Sequence, residues 1–567
     1  MDQRRWVVLA GAAAGYLLVL VWVFLPFIQN GDLLAGGRSI DLNGCLWYQW
    51  AVKKSILGFD FHSFLRTTLL AYPTGKNVVL DLGFPLLEIC SVPLQALFDL
   101  PARHNILLAI IFLLNALAAF VLINHLTKDA WSAFLGGLFF AVNPYVFFQL
   151  DVGRVQTACV FGIPLCVYGF LKLKEAGSGR NIVLAALALL FNSLLYWYYS
   201  NFLILFLALF VLYFFIAEER NGRLAWSAAR VLLLYGALML LLFSYPVLIQ
   251  GGRPAGYSLP TDFLHMTRNN SLQFLPADFL WQCLILAAAA LLPWFFSKDR
   301  LFFALCAAAF MILSLGPYLQ VQDRAVPLPY ILLHQYIPFF SRLRWPVNCF
   351  AMVLLCAAIL LSSLARQVFA GIRDQVRPVF MTALGALFLL VFIPGGTGAP
   401  HSRLAMDTMP PFQKQPVYRY LSGQADCAIL ELPFDTVLDF MANQTVHGKK
   451  VFNAPGAGFK DSLWPKAQLR LLRDIRFLAY ADALCASSGN QRKAWPPPAP
   501  TREEMLLGLQ QLRALGFEFI VVQPRYAASY PHGRAILEEL RRTLKKPLQE
   551  YPDGVRLFKI QNLIENG

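Results

Sequence analysis

About eleven stretches of this 567-residue chain are apolar over a length able to cross the ~30 Å of a bilayer's hydrocarbon as helices. They are residues 6–28, 105–126, 130–148, 155–173, 181–196, 199–217, 226–248, 279–296, 301–316, 347–364 and 378–394. Hydrocarbon offers no hydrogen-bond partner to a backbone amide, so a chain that crosses it repeatedly does so as helices or as a closed barrel, and runs of this length fit helices. The expected fold is a polytopic α-helical membrane protein of about 11 transmembrane helices, residues 1–394, followed by a separate domain, residues 395–567.

Loop charge sets the expected orientation. If Arg4 and Arg5 hold the N-terminus in the cytoplasm, alternate loops fall inside, and these carry Lys128, Lys172, Lys174, Arg180, Arg220, Arg223, Lys298, Arg300, Arg366, Arg373 and Arg377. Loops 29–104, 249–278 and 317–346 and the tail from 395 are then extracytoplasmic, in a multi-pass protein of the cell (inner) membrane. Long loops translocate largely regardless of charge, so the cations they contain do not reverse this assignment. Residues 84–98 (FPLLEICSVPLQALF) are also apolar, but Glu88 and two prolines argue for a re-entrant or interfacial helix within the long first outer loop, 29–104.

Composition agrees with a membrane protein, at 57% hydrophobic and 14% charged residues. The first run is too long and apolar for a typical cleaved signal peptide and is expected to remain as the first span. A formal charge of +15 suggests nucleic acid only in a soluble protein; here the cations are spread over loops on both faces, where topology and anionic lipid account for them, so no nucleic-acid partner is expected. Eight of the ten cysteines lie in or beside apolar runs and none has metal-ligand spacing, whereas Cys427 and Cys485 lie in the exported tail, where a disulfide is open.

After Pro394 the pattern changes. Strand-like CAILELPF (427–434), a helical stretch near 463–486, the break WPPPAP (495–500), a capped helix at 501–516, the strand FEFIVVQ (517–523), a charged helix near 533–546 and a strand VRLFKI (555–560) predict an extracytoplasmic α/β domain. Glu431, Asp435, Asn443, Gln444 and His447 are read there as loop residues around a strand end, with a pocket as the alternative, and Asn443-Gln-Thr445 has the sequon form. No glycine-rich phosphate loop, nucleophile elbow or HExxH occurs, so nucleotide hydrolysis is not expected to drive the protein.

No Asp, Glu, Lys or Arg lies well inside any run, which argues against an ion-coupled transporter; Asn115, Asn192 and Asn348 remain as polar contacts between helices. The polar chemistry gathers at the outer ends instead. Asp41 in GGRSIDLNGCLWYQW (36–50) stands beside Trp47, Tyr48 and Trp50, aromatics that suit either the interfacial belt or stacking on a sugar. The same loop holds His62, Arg66, Lys76 in AYPTGK (71–76) and Asp81; the next outer turn holds Asp151 and Arg154; later outer loops hold Arg268, Arg342 and Arg344. Acids able to act as base or bind a divalent cation, together with arginines able to neutralise phosphate, are the set a lipid-phosphate substrate needs.

With SIDLNGCLWYQW, AYPTGKNVVLDLGFP, FFAVNPYVFFQLDVGRVQ, LSLGPYLQV and PLPYILLHQYIPFFSRLRWP in this layout, the chain resembles the GT-C superfamily of polyprenyl-phosphate-dependent glycosyltransferases. The resemblance covers the membrane domain as architecture, and its motifs are short and degenerate. It implies sugar transfer from a polyprenyl-phosphate-linked donor to an acceptor glycan, lipid or protein, with inversion, among membrane lipids. Asp41 matches the first-loop catalytic acid. Many members carry two adjacent acids where this chain has Asp-Leu-Asn, so Asp151 and Asp81 are the candidates for the second.

Asp41 would then be the base, Asp151 or Asp81 would orient the acceptor, and Lys76, Arg154, Arg268, Arg342, Arg344, His62 and Trp47 are the substrate-binding candidates. No cofactor is assigned, and a divalent cation on Asp41 and Asp151 is an option. The rival functions are a lipid or polysaccharide transporter or flippase and a non-catalytic envelope-assembly membrane protein.

Overall fold

The computed structural model describes residues 3–36, 40–64, 66–78, 84–218, 222–249, 266–267, 271, 297–321, 324–337, 340, 343, 345–370, 408–409, 415–432, 434, 439–453, 466–486, 498–524 and 533–565. The chain forms two compact units. The first is made chiefly of residues 1–37, 93–249 and 256–409, and the second chiefly of 38–92 and 410–567. Most of the first outer loop thus clusters with the C-terminal residues, whereas the sequence groups it with the membrane domain.

In the first unit, seven helices among the described residues are long and apolar enough to cross a membrane. Ala130–Leu150, Val155–Glu175 and Pro346–Gln367 are the central ones, each 78% buried, while Trp6–Val23 and Gly222–Ser244 are only 17% buried and leave most of their apolar surface outward, as lipid-facing helices do. The 39-residue element Gly179–Ala217 is two helices joined at Tyr196, whose backbone is extended (φ −158°, ψ 101°). Ser200 Oγ lies 3.3 Å from Leu189 O. Eleven residues of straight helix would separate those atoms by roughly 16 Å, so the chain reverses at Tyr196 and the two runs 181–196 and 199–217 are antiparallel neighbours. Lys298–Ser314 supplies a further apolar helix. The expected runs 279–296 and 378–394 lie outside the described residues. Leu86–Leu97, at 12 residues, is about 18 Å long and too short to span.

Small residues let these helices close, as expected where lipid leaves packing to hold helices together. A Cβ on Gly137 would meet Tyr16 Oη at 2.1 Å and Ala116 O at 2.7 Å, and one on Gly136 would meet Ser362 Oγ at 2.1 Å. The asparagines make the expected contacts: Asn115 Nδ2 donates to Ala158 O at 2.9 Å, Asn192 Nδ2 to Ser200 Oγ at 2.9 Å, and Asn348 joins Tyr145 and Tyr196, each at 3.1 Å.

Sidedness within this unit follows from side-chain ties. Lys174 pairs with Asp299 at 2.9 Å and Glu218 at 3.0 Å, and His125 with Glu175 at 2.7 Å, so the loops expected to share one face meet one another. At the opposite helix ends, Tyr145 Oη meets Tyr199 Oη at 2.8 Å, Asn348 Nδ2 donates to Tyr196 Oη, and Tyr199 Oη donates to Thr157 O.

The second unit is an α/β sandwich. Its five-stranded sheet runs Gln549–Glu550, Arg556–Lys559, Phe517–Val522, Ala428–Leu432, Lys450–Val451, with the last three parallel and the first two joined antiparallel. Alternation along the strands sends Leu430, Leu432, Ile520 and Val522 to one face, under Leu478, Leu484, Leu509 and Leu540 of the C-terminal helices. Ile429, Val451, Phe519 and Val521 go to the other face, which is covered by Val417, Tyr418, Phe440 and Met441 together with Trp47, Tyr48 and Val52 of the helix Ile40–Leu57.

Residues 69–72 also bond along 451–453: Val451 N donates to Leu69 O at 2.9 Å, Tyr72 N to Val451 O at 2.9 Å and Ala71 N to Asn453 O at 3.0 Å. The first outer loop is therefore part of this domain's second layer. The capped helix is Arg502–Ala514, with a full capping box between Thr501 and Glu504.

Cys427 is a free thiol in the cluster that contains Trp47, whereas the helix Arg476–Ala486 that carries Cys485 packs through Ala481 and Leu484 on the opposite face of the sheet. Cys427 thus makes no disulfide in this structure, and the side chain of Cys485 lies outside the described residues. Burial pushes the Cys427 thiol up to about 11.

Candidate active site

Asp41 lies in the first turn of the helix Ile40–Leu57 and is half-buried. A carboxylate at a helix N-terminus sits where the unpaired backbone N–H groups favour negative charge. One turn on, the Cys45 thiol is pushed well above its ordinary value, first by burial, then by the Glu88 and Asp41 carboxylates. Glu88, which sequence reasoning treats only as an obstacle to a span, is fully buried in the first turn of Leu86–Leu97. It is thus an acid in the electrostatic neighbourhood of Asp41. The available signal was a carboxylate in an otherwise apolar run, which marks a site more often than a boundary.

The other candidates from the first outer loop fare differently. Trp47 is fully buried, and its Nε1–H donates to Gln444 Oε1 at 2.6 Å, so the ring has no face for a sugar: its assignment as a substrate-binding residue is corrected to a core residue. His62 is exposed in the short 3-10 helix Phe61–Phe64, and Lys76 is half-buried on Lys76–Asn77, paired with Arg66–Thr67. Much of AYPTGK is structural: Tyr72 Oη donates to Leu515 O at 2.9 Å, and Gly75 (φ +74°) admits no Cβ, which would lie 2.8 Å from Thr67 O. Asp81, Arg268, Arg342 and Arg344 lie outside the described residues.

In the first unit, Asp151 ends the helix Pro144–Asp151, and Gly153 (φ +77°) turns the chain so that Arg154 caps Val155–Ala158. The Arg154 guanidinium lies 3.9 Å above the centre of the Trp345 ring. A guanidinium at that distance over an indole face is held there by cation–π attraction. Sequence reasoning missed Trp345 and the aromatic run Tyr196-Trp197-Tyr198-Tyr199 at the same helix ends; four aromatics across a two-residue turn between apolar runs were the available signal.

Glu431, Asn443, Gln444 and His447 are not loop residues. Glu431 lies in the strand Ala428–Leu432 and the others on the helix Asp439–His447, all buried. Asp435 lies outside the described residues. Asn443 Nδ2 donates to Tyr418 Oη at 2.6 Å and to Glu431 Oε2 at 3.3 Å, so the sequon asparagine is enclosed and not available for glycosylation. His447 Nδ1 accepts from Lys449 N–H at 3.0 Å, which leaves the proton on Nε2, 3.6 Å from Glu431 Oε1.

Burial, with smaller repulsion from Lys449 and Lys54, holds His447 below its ordinary pKa of 6.5 against the opposing pull of Glu431. The folded imidazole therefore stays neutral while an unfolded one takes up a proton below about pH 6.5. This stability is complete above that pH and is lost as pH falls through it towards the depressed folded value. The unfolding temperature of the purified protein should drop between about pH 7.5 and 5.5, and His447→Asn should flatten the drop. An equally steep fall in the variant would show that other groups set it.

No protein-family model matches the chain, and no curated protein matches it. Among solved structures, an arabinofuranosyltransferase, AftD, from Mycobacteria aligns over 99% of this chain with a TM-score of 0.53 at 14% identity, in two classes of one mutant. The chain has the GT-C fold. It spans only 42% of the length of the first of those AftD chains, so the GT-C likeness concerns fold and not the whole of that enzyme. An oligosaccharyltransferase from Archaeoglobus fulgidus aligns over 92% of this chain and 68% of its own, at 14% identity and a TM-score of 0.47.

Proposed function

We propose that this GT-C chain transfers a sugar from a polyprenyl-phosphate-linked donor to an acceptor glycan, lipid or protein at the extracytoplasmic face, with inversion at the anomeric carbon. The observation that carries the reading is Arg154 held over the Trp345 ring at the helix ends of the first unit that the loop charges assign to the outside. A braced guanidinium at that depth matches a lipid-linked phosphate in charge and in planar geometry. The GT-C fold of a known arabinofuranosyltransferase supports it.

The donor phosphate is already a good leaving group, so no general acid is needed. Asp41 takes the proton of the acceptor hydroxyl as the new C–O bond forms. The bond from the anomeric carbon to the phosphate oxygen breaks with its electron pair going to the phosphate, whose growing charge Arg154 and the outer cations Lys76, Arg342 and Arg344 offset. Glu88 joins Asp151 and Asp81 as a candidate second acid. Among the described residues no group of three or more His, Cys, Asp or Glu is placed to hold a metal.

The test has two arms. Reporter fusions are expected to be exported at Gly396 and cytoplasmic at Gly222, and the opposite result at either site sinks the orientation. Purified protein given a labelled polyprenyl-phosphate sugar and envelope acceptors should form a glycosidic product of inverted configuration. Movement of the lipid across liposomes with no new bond would instead establish a flippase.

A further inference from the structure

We infer that Gln444, just over four hundred residues from Asp41 in sequence, is a positioning residue for it: one fully buried amide fixes the helix that carries the carboxylate. The inference rests on the reading of Asp41 as base. Gln444 Oε1 accepts from Trp47 Nε1 at 2.6 Å, and its Nε2 donates to Leu69 O at 2.7 Å and Lys449 O at 2.7 Å. The chemistry forces this orientation of the amide, because an indole only donates and carbonyls only accept. Both amide hydrogens and the oxygen are engaged, so the side chain is held from three directions: the helix Ile40–Leu57, the loop segment at Leu69 that follows it, and the entry to Lys450–Val451.

Trp47 stands six residues after Asp41 on one helix, about 9 Å along its axis. Any rotation or slide of Trp47 is thus transmitted rigidly to the carboxylate. The helix bearing Gln444 is itself anchored to the centre of the sheet by Asn443, bonded to Tyr418 and Glu431. A second tie runs from Lys54 Nζ to Gly448 O at 3.4 Å, one residue beyond that helix. In a transfer whose rate depends on the alignment of base and acceptor hydroxyl, a displacement of about 1 Å costs up to a hundredfold. The C-terminal residues therefore belong to the catalytic apparatus by holding its geometry.

The test uses the full-length purified protein with Gln444→Met, which keeps volume and removes all three bonds, and Trp47→Phe, which removes one donor and keeps the amide's other two. Two quantities are read: hydrogen exchange of backbone amides 45–54, and kcat and KM for transfer. Gln444→Met should speed exchange in that helix at least tenfold and lower kcat by about tenfold to a hundredfold with KM for the donor unchanged. Trp47→Phe should do less, and the double variant should match Gln444→Met, because both changes break the same node.

Unchanged exchange in both variants, or losses that simply add, overturns the inference. Loosened exchange with parental kcat, in a chain that Asp41→Asn inactivates, overturns the positioning role while leaving the base in place. Parental transfer by Asp41→Asn overturns the base and the positioning role with it, and the exchange arm then identifies the base as the failed premise. Should Gln444→Met fail to fold, Trp47→Phe decides alone through exchange and the split between kcat and KM.

Discussion

Asp41→Asn is expected to lower sugar transfer by about two orders of magnitude or more while the protein remains folded and inserted. Asparagine keeps the size of the side chain and its ability to accept from backbone N–H groups at the helix start, so the half-buried site loses charge and little else. What disappears is the group that takes the acceptor proton. Parallel amide substitutions at Glu88, Asp81 and Asp151 separate a second essential acid from acids with structural or solvated roles, since only an essential one should approach the loss at Asp41. Burial makes Glu88→Gln the comparison to read with a folding control. Purified Asp41→Asn that transfers at the parental rate would remove this residue from the mechanism.

Arg154→Gln should weaken binding of a polyprenyl phosphate by about ten- to a hundredfold, the range expected for losing hydrogen bonds from a charged group. Arg154→Lys should recover only part of it. An ammonium keeps the charge but offers neither a planar face to an indole ring nor two parallel N–H groups to one phosphate. Trp345→Leu is expected to give an intermediate loss, because it removes the surface that holds the guanidinium and leaves the cation itself. The measurement is equilibrium binding of the lipid phosphate in detergent, with the Asp41→Asn protein as a control that should bind normally. If Arg154→Gln binds as the parent does, the phosphate contact belongs to other cations.

Much of the membrane architecture was legible in the sequence because lipid removes alternatives. A chain crossing hydrocarbon has to satisfy its backbone internally, so length and apolarity alone locate helices, and the runs at 105–126, 130–148 and 155–173 fall on Leu100–Thr127, Ala130–Leu150 and Val155–Glu175. Even the reversal at Tyr196 followed from two apolar runs separated by a two-residue gap. The tail was readable for the complementary reason that its strands are short buried apolar runs, Ala428–Leu432 and Phe517–Val522, and its helix at Arg502 begins with a capping box, all local signals.

The sequence by itself thus determined the helical membrane architecture, the α/β character of the tail and the candidate acid after the first span. Only the tertiary structure decided what surrounds that acid. Trp47 reads equally well as an interfacial or a sugar-stacking aromatic, and nothing within its own segment reveals that Gln444 lies 2.6 Å from its indole nitrogen. Nor does local pattern show that Leu69–Tyr72 bonds along Val451–Asn453, or that Arg154 rests on Trp345. Periodicity and hydropathy record the face an element must bury and the solvent it meets. Which distant segment covers that face is set by shape and hydrogen-bond complementarity between residues far apart in sequence, and one sequence carries no record of those pairings.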